Sequence, residues 1–130
     1  MFLLDTNVVS EARRKAPAVV RWLQGADRRT LFLSVITIGE IARGVEIKRK
    51  TDEAFARRLS QWLDRLRLAY RVLPITDEIA IEWGSLSAAR PLSEAAGLIA
   101  ATARVHRLTL VSRDGVFTGA VELVDPWSGG

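Results

Sequence analysis

The chain has 130 residues, 48% of them hydrophobic, enough to bury the core of one ordinary domain. It has no cysteine, which excludes a disulfide framework and thiolate chemistry, and no apolar run approaches the ~18 residues of a membrane span. Its 19 basic and 15 acidic side chains leave a charge of +4, which suits a polyanionic partner such as nucleic acid as well as it suits a plain arginine-rich surface.

No basic stretch followed by an apolar one opens the chain, so no signal peptide is read there, and the cysteine-free composition fits a reducing cytoplasm. The expectation is a single domain over residues 1–130, located in the cytoplasm.

Phe2-Leu3-Leu4 is a short apolar run that reads as a buried strand, and it delivers Asp5 to the strand's carboxyl end. Thr6 or Asn7 can cap the short helix that follows, with Arg13, Arg14 and Lys15 at its far end, where cations suit the helix dipole. Pro17 opens a second helix whose apolar side is Val19, Val20, Trp22 and Leu23, and Gly25 ends it. Thr30 to Val35 forms the second strand candidate. Val35, Ile38, Ile41, Ala42 and Val45 then repeat at helical spacing until Lys48-Arg49-Lys50.

Thr51-Asp52-Glu53 caps the next helix, striped by Phe55, Leu59, Trp62, Leu63 and Leu66. Arg57, Arg58, Arg65 and Arg67 interleave there. A solvated face is the favoured reading for them, and an RNA-facing helix the alternative. Tyr70 to Ile75 is a short strand ended by proline, and Thr76-Asp77-Glu78 starts a helix to about Ala89. Ser93 caps a helix running to about Arg107. Leu108 to Val111 is the next strand, followed by Ser112-Arg113-Asp114-Gly115, and Val121 to Val124 is the last. The Gly129-Gly130 end is expected to fray. Strands alternate with helices, which predicts an α/β protein with a mainly parallel sheet and helices on both faces.

Asp5 and Asp114 each sit just beyond an apolar strand. If those strands are adjacent and parallel, the two carboxylates meet at one rim, where hard cations such as Mg²⁺ or Mn²⁺ would join them. Capping of the following turn explains each acid equally well. Glu40 closes a T-x-x-E capping box with Thr37, yet a helix starting after Ser34 puts it in the second turn, where no cap is needed. The sole histidine, His106, reads as a surface or helix-end residue. There is no G-x-G-x-x-G, no P-loop and no nucleophile with a base at recognisable spacing. Asp5 as a phosphatase nucleophile of the haloacid-dehalogenase type wants a second acid two residues on, where Asn7 stands.

Four stretches together carry a resemblance: Leu3-Leu4-Asp5-Thr6-Asn7, Ser34 to Gly44, Gly97 to Ala103, and Leu108 to Asp114. In this order they resemble the PIN-domain ribonucleases, and among them the VapC and FitB toxins of bacterial toxin–antitoxin pairs. The resemblance runs from residue 1 to Trp127. It implies a three-layer α/β/α sandwich and a toxin that is a Mg²⁺- or Mn²⁺-dependent endoribonuclease, a hydrolase. It places metal-binding and catalytic acids at Asp5, Glu40 and Asp114, with Thr6, Asn7 and Ser112 supporting them.

The family's remaining acid falls on Ala96, where the carboxylate is missing. Glu94, roughly 200° around the helix from that position, is no substitute. Such a chain is either an inactivated variant of a toxic nuclease or a natural protein with weakened chemistry. A catalytically silent RNA- or antitoxin-binding module is the alternative function. A cognate antitoxin, an RNA substrate and a homodimer are the implied partners, with Val9, Arg13, Trp22 and Leu23 as candidates for the antitoxin's groove.

Overall fold

A computed structural model describes residues 1–128; the Gly129-Gly130 end expected to fray lies outside them. Five short strands form one sheet: β1 (Phe2–Leu4), β2 (Leu31–Ser34), β3 (Arg71–Leu73), β4 (Thr109–Val111) and β5 (Leu123–Val124). Their order is β3-β2-β1-β4-β5, and every neighbouring pair is parallel. Six helices connect them: α1 (Thr6–Arg13), α2 (Pro17–Gln24), α3 (Val35–Arg49), α4 (Glu53–Ala69), α5 (Asp77–Ala89) and α6 (Glu94–His106).

Alternation along the strands divides the core in two. Leu3 and Leu110 face one side, where they pack with Leu86 of α5 and Ile99, Ala100 and Ala103 of α6. Leu4, Leu31, Leu33 and Val111 face the other, against Val8 and Val9 of α1, Val19 of α2, Ile41 of α3, and Leu63 and Leu66 of α4. The expected three-layer α/β/α sandwich is therefore what forms. β1 lies at its centre, and the order of connection reverses there: the chain builds outward through β2 and β3, then returns to add β4 on the other side.

Several boundaries differ from the sequence reading. The second strand is shorter at both ends, because Arg28–Thr30 winds into a 3-10 turn capped by Asp27 and Val35 already belongs to α3. The proline-ended strand stops at Leu73, and the last strand is only Leu123–Val124. Neither Thr6 nor Asn7 caps α1. Asp5 does, in extended conformation, its Oδ1 accepting from the Thr6 amide at 2.8 Å. A carboxylate at the cap also suits the positive end of the helix dipole.

The α5–α6 pair meets at Gly97. A Cβ built there would lie 2.9 Å from Cδ1 and Nε1 of the Trp83 indole, so the absence of a side chain is what allows the close approach. Among the described residues no helix is long and apolar enough to cross a membrane.

Candidate active site

In an open parallel sheet the crevice for a ligand lies beyond the carboxyl ends of the strands, where the strand order reverses. Here that point lies between β1 and β4. Asp5 follows β1 directly, its amide donating to the Val111 carbonyl of β4 at 3.0 Å. Ser112 follows β4, and its buried hydroxyl donates to Asp5 Oδ2 at 2.8 Å. The Asp114 amide donates to the same Ser112 oxygen at 3.1 Å, which ties the loop carrying Asp114 to the floor of the rim.

α3 brings the third carboxylate. Its cap is Ser34, whose Oγ accepts from the Ile36 amide, so Glu40 stands in the second turn and the T-x-x-E capping box does not form. Glu40 Oε1 instead accepts from the Thr6 hydroxyl at 2.7 Å. Thr6 Oγ1 also lies 2.8 Å from Thr37 Oγ1. A hydroxyl has one proton, so with Thr6 donating to Glu40, Thr37 donates to Thr6. The fully buried Thr37 thus anchors a relay, Thr37 to Thr6 to Glu40, that holds the carboxylate in place from below. Sequence reading gave Thr37 no role beyond a capping box that it argued against. The available signal was a polar side chain on the inward face of a helix otherwise lined by Ile41 and Val45.

Asp5 is only 6% exposed, and burial pushes its carboxyl above the usual carboxylate range. Bonds from Ser112 and the Thr6 amide oppose that shift, and repulsion from Glu40 and Asp114 adds to it. Among the described residues none of the ion pairs includes Asp5, Glu40 or Asp114.

The donors are oxygens throughout, the chemistry that Mg²⁺ and Mn²⁺ prefer. Yet among the described residues no three His, Cys, Asp or Glu side chains converge closely enough to hold a metal ion by themselves. The arrangement fits an ion that keeps several waters and takes one or two carboxylates together with a substrate phosphate, rather than one caged by protein.

Asp114 also caps the 3-10 turn Gly115–Phe117, its Oδ1 accepting from the Val116 amide at 3.0 Å. Asn7 is exposed and lines a recess of about 350 Å³ with Ser112, Asp114 and Trp127. Ala96 sits in the first turn of α6, its amide bonded to the Ser93 cap at 3.1 Å and its methyl part of the core packing. His106 is exposed in the last turn of α6, and the left-handed cap there is Arg107, not the histidine. Val9, Arg13 and Leu23 share one recess with Trp62, but Trp22 does not join them: it packs edge-on against Phe2, ring centroids 5.1 Å apart.

Fold and site define an α/β protein with carboxylates gathered at the switch point of a parallel sheet. The chain belongs to the PIN domain family, whose model matches residues 2–122. It is 35% identical to Toxin FitB of Neisseria gonorrhoeae over 98% of this chain and 99% of that protein. It is 34% identical to VapC ribonuclease Y4jK of Sinorhizobium fredii, over 98% of each. Among solved structures, FitAcB from Neisseria gonorrhoeae matches with a TM-score of 0.80 at 34% identity, covering 98% of this chain and 99% of that one.

Proposed function

We propose that this chain is the toxin of a toxin–antitoxin pair and an endoribonuclease that hydrolyses RNA phosphodiesters with a divalent cation, Mg²⁺ or Mn²⁺. The observation that carries the reading is the buried Asp5 at the β1/β4 switch point, repelled by Glu40 and Asp114, with none of the three in an ion pair among the described residues. PIN family membership and relatives named as a toxin and a ribonuclease support it.

Of Asp5, Glu40 and Asp114, one or two would hold the ion directly and the rest would reach it through its waters; the ion would supply a polarised water and neutralise charge on the attacked phosphate. The chain's own residues prepare that site. Ser112 and the Thr6 amide fix both oxygens of Asp5. The Thr37–Thr6 relay aims Glu40. The Ser112–Asp114 bond keeps the third carboxylate at the rim. Hydrolysis would add a water oxygen to the phosphorus, break the P–O bond to one ribose oxygen and leave that oxygen as a hydroxyl carrying a proton from the water, so no residue of the chain needs to become a covalent nucleophile.

Position 96 lacks a fourth carboxylate, which lowers the hold on the cation and slows cleavage. That absence, with no three acids converging, favours a second reading: a catalytically silent module that binds RNA or its antitoxin without cutting. A cognate antitoxin and a second copy of the chain are the protein partners of either form. Incubating the purified chain with RNA, with and without Mn²⁺, separates the readings. Cation-dependent cleavage supports the nuclease, and retention of RNA without cleavage supports the silent module.

A further inference from the structure

Two recesses open on either side of Asp5, and each pairs a rim carboxylate with an arginine laid on an aromatic ring. On the α3 side the recess holds Thr6, Glu40 and Arg13. Arg13 lies two turns from Thr6 on the same face of α1, about 10 Å along the helix. Its guanidinium is 5.4 Å from the Phe55 ring centroid and 5.8 Å from that of Trp62. Lys48 Nζ and the Arg58 guanidinium also approach Phe55, at 5.5 and 5.7 Å. On the β4 side the recess holds Asn7, Asp114 and Arg113, with the Arg113 guanidinium 4.0 Å from the Trp127 ring.

None of these four cations belongs to an ion pair among the described residues, whereas Glu11, the other acid of the β4-side recess, is held by Arg14. A guanidinium free of ion pairs and within cation–π reach of an aromatic ring keeps its donors for a phosphate and has less freedom to lose on binding.

We infer that single-stranded RNA crosses the sheet rim along one line, with a flanking phosphate held on one side by Arg13 on Phe55 and Trp62 and on the other by Arg113 on Trp127. The phosphate between them then lies over Asp5. This rests on the ribonuclease reading of the rim and adds to it the path of the substrate. Charge complementarity selects the occupant: a polyanion needs cations on both sides of an acidic centre that would otherwise repel it. A flexible single strand can dip into both recesses, and the part-buried rings of Phe55, Trp62 and Trp127 offer edges for its bases. The three aromatics are positioning residues, and the arginines make the contacts.

The test is binding of a fluorescent single-stranded RNA oligonucleotide to the full chain by anisotropy in EDTA, over a series of salt concentrations. Arg13→Gln and Arg113→Gln should each weaken binding about 5- to 10-fold and lower the salt slope by about 1. Arg29→Gln removes the same charge at the amino end of β2, away from the rim, and should change binding less than 2-fold by the same reasoning. Phe55→Leu keeps every charge yet should weaken binding about 2- to 5-fold, and Phe55→Tyr should restore it, as expected when a ring orients the cation. If Trp127→Leu unfolds, the surface variant Arg113→Gln still reports on that side.

Losses from Arg13→Gln and Arg113→Gln no larger than from Arg29→Gln would overturn the path while leaving the ribonuclease reading intact. So would a result in which Phe55→Leu binds like the parent. A chain that neither binds nor cleaves single-stranded RNA would overturn both. A parent chain that captures an acidic peptide in the Arg13 recess but no RNA would make that recess a protein-docking site and also overturn the path.

Discussion

The relay beneath Glu40 gives the sharpest energetic prediction. Thr6→Val keeps the shape of the side chain and removes its oxygen. The loss has two parts. Glu40 is exposed and recovers water, so the missing 2.7 Å bond to it costs little. Thr37 is fully buried and recovers nothing: its hydroxyl loses its only side-chain partner and is left with an unsatisfied donor. An orphaned buried donor costs about 1–3 kcal/mol. For a chain of this size each kcal/mol moves Tm by about 3–5 °C, so Thr6→Val should melt about 3–15 °C below the parent. Thr6→Ser, which keeps the hydroxyl, should recover most of that.

The double variant is decisive. Thr6→Val with Thr37→Val removes both ends of the bond, and replacing both partners by apolar groups of the same shape is nearly neutral. The double variant should therefore be more stable than Thr6→Val alone, with a coupling of about 1–2 kcal/mol by urea or thermal unfolding. Additive losses, or a Thr6→Val variant as stable as the parent, would refute the relay.

Asp5→Asn should stabilise the fold at neutral pH. Folding holds the Asp5 carboxyl above its ordinary value, so the folded state binds more protons, and stability falls as pH climbs from the unfolded value to the raised folded one. Thermal melts across the acid range should show the variant's advantage shrink as pH drops toward the unfolded value; an advantage independent of pH would contradict the burial argument. Mn²⁺ should raise the Tm of the parent and leave that of Asp5→Asn unchanged, since only a state that binds the ion is stabilised by it. Gly97→Ala forces a methyl to within 2.9 Å of the Trp83 indole and should cost about 1–3 kcal/mol, most of it returned by Trp83→Phe. The Trp83 Nε1 donor is buried without a partner, so Trp83→Phe alone should cost less than a tryptophan of that burial usually does.

Much of this architecture was legible in the residues. Short apolar runs at Phe2, Leu31 and Leu108 marked strands buried on both faces, and each was followed by a polar residue at the rim. The parallel sheet follows from their alternation with helices, but the strand order that makes Asp5 and Ser112 neighbours does not, because no local pattern records which strands pair. Capping was the hardest to read. Asp5, Thr6 and Asn7 are all good caps, and only the extended backbone at Asp5 decides among them. T-x-x-E at Thr37 also matches a capping box, and the helix start at Ser34, which the apolar periodicity from Val35 already pointed to, excludes it. The contacts of Arg13 with Phe55 and Trp62, and of Arg113 with Trp127, join residues apart in sequence, so no local pattern recorded them.

The central claim is that the rim carboxylates serve a cation that cleaves RNA, and Ala96 gives the direct way to test it. Residue 96 lies in the first turn of α6 behind the Ser93 cap, where the helix dipole favours a carboxylate and the fold does not require one. RNA cleavage in Mn²⁺ should be compared for the parent, Ala96→Asp, and Ala96→Asp combined with Asp5→Asn. The account predicts that Ala96→Asp cleaves at least ~10-fold faster than the parent, since a charged ligand at a metal site contributes kilocalories, and that adding Asp5→Asn abolishes the gain. A folded Ala96→Asp chain that cleaves no faster than the parent, or one that cleaves equally well with Asp5→Asn, would contradict it.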